Sequence, residues 1–335
     1  MNLESTFAGY RLANPLIVGA SPLTASLDMV RRLEDAGASA LVLPSLFEEQ
    51  LVQEQIATMH AMEYPSEAIG EATSFLAEPA GLSLGSERYL AHLMAASEAV
   101  DVPVFGSLNG TTRGGWIDHA RLIESAGAAG LELNLFNAAT SVHRSAAQIE
   151  NETIQLVKEI TRRVQIPVVL KLSPFYSSLP HLAKALIDAG AAGLVLFNRL
   201  YQPEIDPEQL EIKREHVADP TELTLRLHWV GVLYDQVGGS MAVTGGVRTA
   251  RDVVKATMAG ADAVQLVTTL LACGPDHVAQ MLGELATWLQ ENEYESLEQM
   301  RGSMSLSRCP DPQVYKRDNY MQLLQSWPET LRWGA

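Results

Sequence analysis

One lysine of this chain stands inside an apolar run, Val168-Val-Leu-Lys-Leu. Lysines are seldom buried without a partner, because an ammonium group loses its hydration when it leaves water. Lys171 is therefore either at the exposed end of a strand, with its amine in solvent, or a functional cation. A functional lysine could form a Schiff base with a carbonyl substrate, or it could face an electron-rich cofactor ring.

A pair of glycines forms a second candidate site. Gly245 and Gly246 follow Thr244 and precede a predicted helix start near Thr249. Glycines let backbone N–H groups approach a phosphate, and the positive end of the following helix adds to the attraction. A Gly-Gly pair on its own is usually just a turn, so its meaning depends on where the fold places it.

Three polar residues are candidates for binding a substrate. Asn134 and Asn198 each end an apolar run. They could cap helices or turns, or they could bind amide or pyrimidine edges through their paired donor and acceptor groups. Arg113, in a loop rich in Gly and Thr, could bind a carboxylate or face solvent.

A repeated sequence motif predicts the helices and strands that position these residues. Four times a helical stretch ends in Ala-Gly-Ala and an apolar run follows, at residues 36, 126, 189 and 259. Glycine suits a helix C-cap, and short apolar runs indicate strands that are buried on both faces. With four further apolar runs the pattern predicts an α/β fold, a (β/α)8 TIM barrel whose site lies at the carboxyl ends of the strands.

The predicted elements cover most of the chain as one domain, residues 1–335. Two long gaps, about 46–102 and 199–223, predict insertions at the barrel rim, and residues 291–335 predict a short C-terminal helical extension. The predicted strands lie near residues 15–19, 40–44, 103–107, 130–134, 167–172, 193–198, 241–245 and 262–267. The predicted helices lie near residues 26–37, 116–127, 145–163, 179–190, 249–260 and 275–290.

Composition limits the kinds of partner. A net charge of −16 argues against nucleic acid and anionic membranes, which both attract basic surfaces. No apolar run approaches the ~20 residues that span a bilayer, and the N-terminus has no signal-peptide pattern. The two cysteines, Cys273 and Cys309, lack metal-site spacing, so we expect no metal and a cytoplasmic enzyme with a small-molecule substrate.

The strand ends resemble those of the dihydroorotate dehydrogenase family, FMN-binding barrels, over most of the chain. The opening from Phe7 to Ser21 and the run Leu-Lys171-Leu-Ser-Pro carry the resemblance, together with the Thr244-Gly-Gly motif. The chain is most similar to the branch called dihydroorotate dehydrogenase-like. The resemblance implies FMN as cofactor, bound by Ala20, Ser21, Ser45, Asn134, Lys171, Asn198, Gly245, Gly246, Val267 and Thr268.

Four departures from the family bear on the chemistry. The family's cysteine or serine base corresponds to Asn137, whose amide has no useful basicity near neutral pH. Ser45 replaces a lysine and Val267 replaces a glycine, and the family's substrate-loop motif is not visible between residues 70 and 85. We therefore expect these changes to affect flavin binding less than they affect the oxidation of dihydroorotate.

The resemblance implies an FMN-dependent oxidoreductase acting on CH–CH groups. Its reaction would be dihydroorotate to orotate, in pyrimidine biosynthesis, or a related C–C bond oxidation. Lys171 and Asn137, which stands at the position of the family base, are the catalytic candidates, while Asn134, Asn198 and Arg113 would bind substrate. The alternatives are a Schiff-base lyase or aldolase using Lys171 and a non-catalytic flavin-binding subunit. We expect a homodimer and an electron-transfer partner chain.

Overall fold

The structure, a computed structural model, describes residues 1–48, 85–110, 113–135, 139–198, 203–214, 222–316 and 318–325. Twelve strands lie in this part of the chain: β1 Ser5–Phe7, β2 Tyr10–Leu12, β3 Leu16–Val18, β4 Ala40–Phe47, β5 Val104–Asn109, β6 Gly130–Asn134, β7 Val168–Leu172, β8 Gly193–Leu196, β9 Pro203–Asp206, β10 Glu211–Arg214, β11 Ser240–Thr244 and β12 Ala263–Leu266.

Eight of these strands form a closed parallel barrel, in the order β11-β12-β3-β4-β5-β6-β7-β8. The predicted (β/α)8 barrel is therefore confirmed. Each strand begins within two residues of its predicted start. β4 differs most, because it continues past Pro44 to Phe47 after a register shift between Val42 and Ser45. Proline cannot donate to the ladder, so a strand that contains one commonly bulges there.

The helices fill the connections between the strands. Ser145 and Thr249 cap two of them in reciprocal capping boxes with Gln148 and Asp252. The α-helices in the described part of the chain are α1 Leu27–Asp35, α2 Ser86–Ala99, α3 Arg113–Ser125, α4 Ala146–Thr161, α5 Leu179–Asp188, α6 Glu222–Leu233, α7 Ala250–Ala259, α8 Thr268–Cys273, α9 His277–Glu291, α10 Leu297–Met300 and α11 Asp318–Gln325.

Three parts of the fold were not predicted. An N-terminal hairpin, β1–β2, precedes the barrel, and a second hairpin, β9–β10, lies in the second predicted insertion. Helices α2, α6 and α8 also lie outside the predicted helices. Arg113 is the first residue of helix α3 rather than part of a loop, which corrects its predicted setting.

The lower half of the barrel is filled by apolar side chains. Phe105 lies at its centre, and the rings of Phe7 and Tyr10 from the N-terminal hairpin pack against it at centroid distances of 6.3 and 6.1 Å. Gly130 must lack a side chain, because a Cβ there would lie 2.3 Å from the Phe105 ring. The hairpin and this apolar plug close the amino-terminal end of the barrel, so the barrel opens toward its carboxyl-terminal end.

No helix in the described part of the chain is long and apolar enough to cross a membrane.

Candidate active site

A cleft of about 440 Å³ opens at the carboxyl ends of the barrel strands. Its walls come from β7, β11 and β12, from the turns that follow β3, β8 and β11, and from the first turns of α6 and α8. The lining residues are Ala20, Ser21, Pro22, Lys171, Phe197, Asn198, Glu222, Arg226, Thr244, Gly245, Gly246, Val247, Gln265, Val267, Thr268 and Leu271.

Lys171 forms the base of the cleft and is buried. Its Nζ lies 3.3 Å from the Glu132 carboxylate and 3.4 Å from the Gln265 side-chain oxygen. Gln265 in turn donates from Nε2 to Glu132 at 2.6 Å. The three side chains come from β7, β6 and β12, so the barrel itself holds the lysine in a satisfied polar network. Lys171 is thus not a lysine that reaches solvent at a strand end.

A second polar cluster lies beside the lysine on β4, β5 and β6. Asn134 Nδ2 donates to the hydroxyls of Ser45 and Ser107 at 2.8 and 3.1 Å, and the two hydroxyls are 2.8 Å apart. Tyr89 supports Ser107 by accepting from its backbone N–H at 2.9 Å. Burial raises the pKa of the Tyr89 hydroxyl, which therefore stays a neutral hydrogen-bonding group. Asn134 is the register partner of Lys171, so the cluster and the lysine are neighbours.

The glycine pair forms another part of the cleft wall. Gly245 and Gly246 have φ of +91° and +77°, a left-handed conformation that glycine adopts without strain. A Cβ on Gly246 would lie 2.6 Å from the backbone nitrogen of Leu223 in helix α6. The loop is therefore pressed between the cleft and helix α6, and only glycine fits there.

The chemistry of the cleft residues suits a ligand that carries a phosphate ester, as FMN does. The glycine loop can present backbone N–H groups to a phosphate, and α7 begins just beyond it with Thr249 as its N-cap. The Ser21 hydroxyl is buried without a hydrogen-bond partner among the described residues. Buried hydroxyls rarely stay unpaired, so Ser21 suits a ligand that supplies the partner.

The structure brings most of the predicted site residues together. Ala20, Ser21, Lys171, Asn198, Gly245, Gly246, Val267 and Thr268 line the cleft. Ser45 and Asn134 lie in the adjacent hydroxyl cluster. Asn137 and the side chain of Arg113 lie outside the residues that the structure describes, as does the segment between residues 70 and 85 except for Gly85. The described residues contain no cluster of metal-ligating side chains.

Comparison with known proteins decides the family. A sequence model described as dihydroorotate dehydrogenase matches residues 78–289, which is well over half of the chain. The chain belongs to the dihydroorotate dehydrogenase family. This confirms the family predicted from the strand ends, and it favours an oxidoreductase over a Schiff-base lyase or a non-catalytic flavin subunit.

Full-length relatives agree with this assignment. The chain is 27% identical to the Thermoplasma volcanium protein named dihydroorotate dehydrogenase B (NAD(+)), catalytic subunit, over 90% of this chain and 98% of that protein. The protein of the same name from Thermoplasma acidophilum is 24% identical over 90% and 98%. That of Geobacter sp. strain M21 is 29% identical over 72% and 81%. The dihydroorotate dehydrogenase family is generally flavin-dependent.

Sequence reasoning missed Gln265, Glu222 and Arg226, which line the cleft, and Glu132, which pairs with Lys171 beneath it. Glu132 and Gln265 are charged or polar residues inside apolar strands, which is the same signal that identified Lys171. Glu132 also lies two positions before Asn134, so strand alternation places both on one face. Arg226 carries no such signal, because it lies in a helix whose role at the site depends on the tertiary fold.

Proposed function

We propose that the chain is an FMN-dependent oxidoreductase that acts on dihydroorotate or on a closely related CH–CH bond. The observation that carries the proposal is one cleft that is lined both by a paired lysine, Lys171, and by a glycine loop, Gly245-Gly246. A cation and a loop of backbone N–H groups in one cleft suit a ligand that has an electron-rich ring and a phosphate. Membership of the dihydroorotate dehydrogenase family supports the same cofactor.

Some of the described residues would bind the cofactor, and others would bind the substrate. FMN supplies a hydride acceptor when it is bound. Lys171 would place a positive charge beside the ring, where it stabilises negative charge that develops on reduction. Gly245 and Gly246 would hold the phosphate, with Val267 and Thr268 beside them. Asn134 and Asn198 would orient the ring or the substrate through their amide groups.

The proton must leave the substrate by a route that differs from the family's. The amide of Asn137 cannot accept it. Tyr176 is a poor substitute, because burial, and secondarily the nearby Glu150, raise the pKa of its hydroxyl to about 12. The proposed acceptors are Ser177, water and Tyr201, which lies outside the residues that the structure describes. Slow chemistry with dihydroorotate is the expected consequence.

We also propose that the chain passes electrons to a partner chain. Relatives are named as NAD(+)-linked catalytic subunits, which supports an electron-transfer partner chain.

We further propose a homodimer. The side chains of Leu210 and Ile212 on the β9–β10 hairpin are 90% and 72% exposed, which supports a homodimer formed through this hairpin. Light scattering should give a dimer mass for the natural protein and a monomer mass for Ile212→Glu. The cytoplasm stays the predicted compartment, since both cysteines are free thiols.

Anaerobic bleaching of the bound flavin by dihydroorotate tests the function. The natural protein should purify yellow with one FMN per chain and bleach slowly. Asn137→Cys should bleach faster by about 10²–10⁴, the usual effect of a general base, whereas Asn137→Ala should not. A colourless protein that takes up no FMN would refute the cofactor. Fast bleaching of the natural protein would show that another residue is the base, and no bleaching in any variant would exclude dihydroorotate.

A further inference from the structure

Arg226 is a buried cation at the glycine-loop end of the cleft. It lies in helix α6, and its residue is only 4% exposed. Its Nε donates to the Thr244 carbonyl, and its Nη1 donates to the Glu222 carbonyl at 2.7 Å. Its Nη2 lies 3.2 Å from the Glu222 carboxylate. Both Arg226 and Glu222 line the cleft.

The guanidinium group lies directly behind the glycine loop. A Cβ built on Gly245 would be 2.8 Å from Arg226 Nη2. An anion held by the backbone N–H groups of this loop would therefore lie beside a positive charge as well. Burial lowers the pKa of the guanidinium, which is the cost of keeping a cation at this position, and an anionic ligand would offset that cost.

The contacts of Arg226 leave room for a further acceptor. A guanidinium carries five N–H donors in a planar fork, and three contacts use three of them. Glu222 competes for the same group, but its side chain is 28% exposed and can turn into water. A phosphate monoester carries about −1.5 to −2 charges at neutral pH and can pair with arginine through two hydrogen bonds. It should therefore displace a single carboxylate.

We propose that Arg226 determines the specificity of the cleft for a phosphorylated flavin, and that Glu222 occupies the guanidinium until the phosphate displaces it. This inference rests on the proposed FMN-dependent function and adds a charged, side-chain element to the backbone loop. Its consequence is selective: Arg226 and Glu222 should affect FMN, which carries the phosphate, and not riboflavin, which has the same ring and lacks it.

Titration of the flavin-free protein with FMN and with riboflavin, followed by flavin fluorescence, tests the inference. Arg226→Gln should weaken FMN binding by about 30- to 100-fold and change riboflavin binding by less than threefold, because only the phosphate loses a charge-assisted partner. Glu222→Gln should strengthen FMN binding by about 3- to 10-fold, since the competing charge is gone. Arg226→Lys, which keeps the charge but not the fork, should fall between the natural protein and Arg226→Gln.

Arg251→Gln is the matched control, because Arg251 is exposed on the neighbouring helix α7 and does not line the cleft. It should change neither affinity. If Arg226→Gln weakens both flavins equally, Arg226 is only a structural brace of the loop and the inference is wrong. Weaker FMN binding in Glu222→Gln would also overturn it, even if Arg226→Gln does not fold. A natural protein that binds neither flavin would refute the proposed function itself.

Discussion

Lys171 and Glu132 form an ion pair that is almost wholly removed from water, with side chains 8% and 0% exposed. Each charge lost its hydration on folding, and each is stabilised mainly by the other and by Gln265. Removing one partner from such a pair leaves an uncompensated buried charge, which is far more harmful than removing both. The pair is therefore a part of the folded barrel as well as of the site.

Lys171→Met should lower the free energy of unfolding by about 3–5 kcal/mol, because it leaves the Glu132 carboxylate buried and unpaired. The double variant Lys171→Met/Glu132→Gln should recover most of that loss. Urea unfolding of the flavin-free protein measures these two variants and the single variant Glu132→Gln, and the double-mutant cycle then gives the coupling energy.

Lys184→Met is the control for this pair, since the Lys184–Asp188 pair is exposed by 63% and 61%. It should cost less than about 0.5 kcal/mol. Additive effects of the two buried substitutions would show that Lys171 and Glu132 do not stabilise each other.

The residues of the site were predictable where a polar side chain interrupts an apolar strand. Lys171 was found in this way, and Glu132 and Gln265 carry the same signal. Arg226 was not predictable, because its contact with the loop of Gly245 joins a helix to a turn through the tertiary fold. Glu132 and Lys171 lie on consecutive strands, whereas Gln265 of β12 is far from both in the sequence, so its contacts with them needed the closed barrel.

At the scale of elements, the glycine loop and the first turn of helix α6 form one packed unit. A Cβ on Gly246 would lie 2.6 Å from the Leu223 nitrogen of α6, and the Nε of Arg226 in α6 donates to the Thr244 carbonyl at the start of the loop. The loop and the helix are therefore packed without space for a side chain on Gly246. The shape of the loop depends on α6 as much as on the two glycines.

Gly246→Ala should abolish FMN retention, because its Cβ would lie 2.6 Å from the Leu223 nitrogen and would push the loop and helix α6 apart. Gly274→Ala is the matched control: Gly274 also has a positive φ, +85°, but a Cβ there meets nothing within 4 Å. In the control, backbone strain alone should lower the free energy of unfolding by roughly 1 kcal/mol, and the protein should keep its flavin. Flavin absorbance of the purified variants gives the result, and equal flavin content in both would contradict it.

The helices and strands were predictable where the local sequence signals were strong. The Ala-Gly-Ala motifs end helices as predicted. Their glycines all have the positive φ of a helix C-cap: Gly37, Gly127, Gly190 and Gly260. Helix α6 was missed because its apolar residues surround the helix and leave no amphipathic period. The β9–β10 hairpin was missed because its strands are short and mostly charged.

At the scale of the whole molecule, one carboxylate joins the barrel to the C-terminal segment. Asp262, at the start of β12, accepts a hydrogen bond from the Met241 backbone at 2.7 Å and pairs with Arg301 at 2.7 Å. The Ser5 hydroxyl of the N-terminal hairpin donates to the Asp262 carbonyl. Burial raises the pKa of Asp262 to about 6 in spite of these partners.

The free energy of unfolding should therefore carry a pH-dependent contribution from Asp262. Because the folded protein holds this proton more tightly than the unfolded chain, the contribution is full below pH 4 and is lost as pH rises through about 6. Its size is roughly 3 kcal/mol, from a shift of about two units. Asp262→Asn should remove this component from the difference between pH 4 and pH 6 in urea unfolding, relative to the natural protein. An identical pH profile in the variant would contradict the assignment.

Both cations that line the described cleft are already matched by carboxylates, Lys171 by Glu132 and Arg226 by Glu222. The mouth of the cleft therefore attracts anions only weakly at long range, while the chain as a whole has a net charge of −16. An anionic ligand should approach against long-range repulsion, and added salt should screen that repulsion. We expect the association rate of FMN, followed by stopped-flow fluorescence, to rise with ionic strength, the reverse of an electrostatically steered site. A rate that falls with salt would show that positive charge dominates the approach.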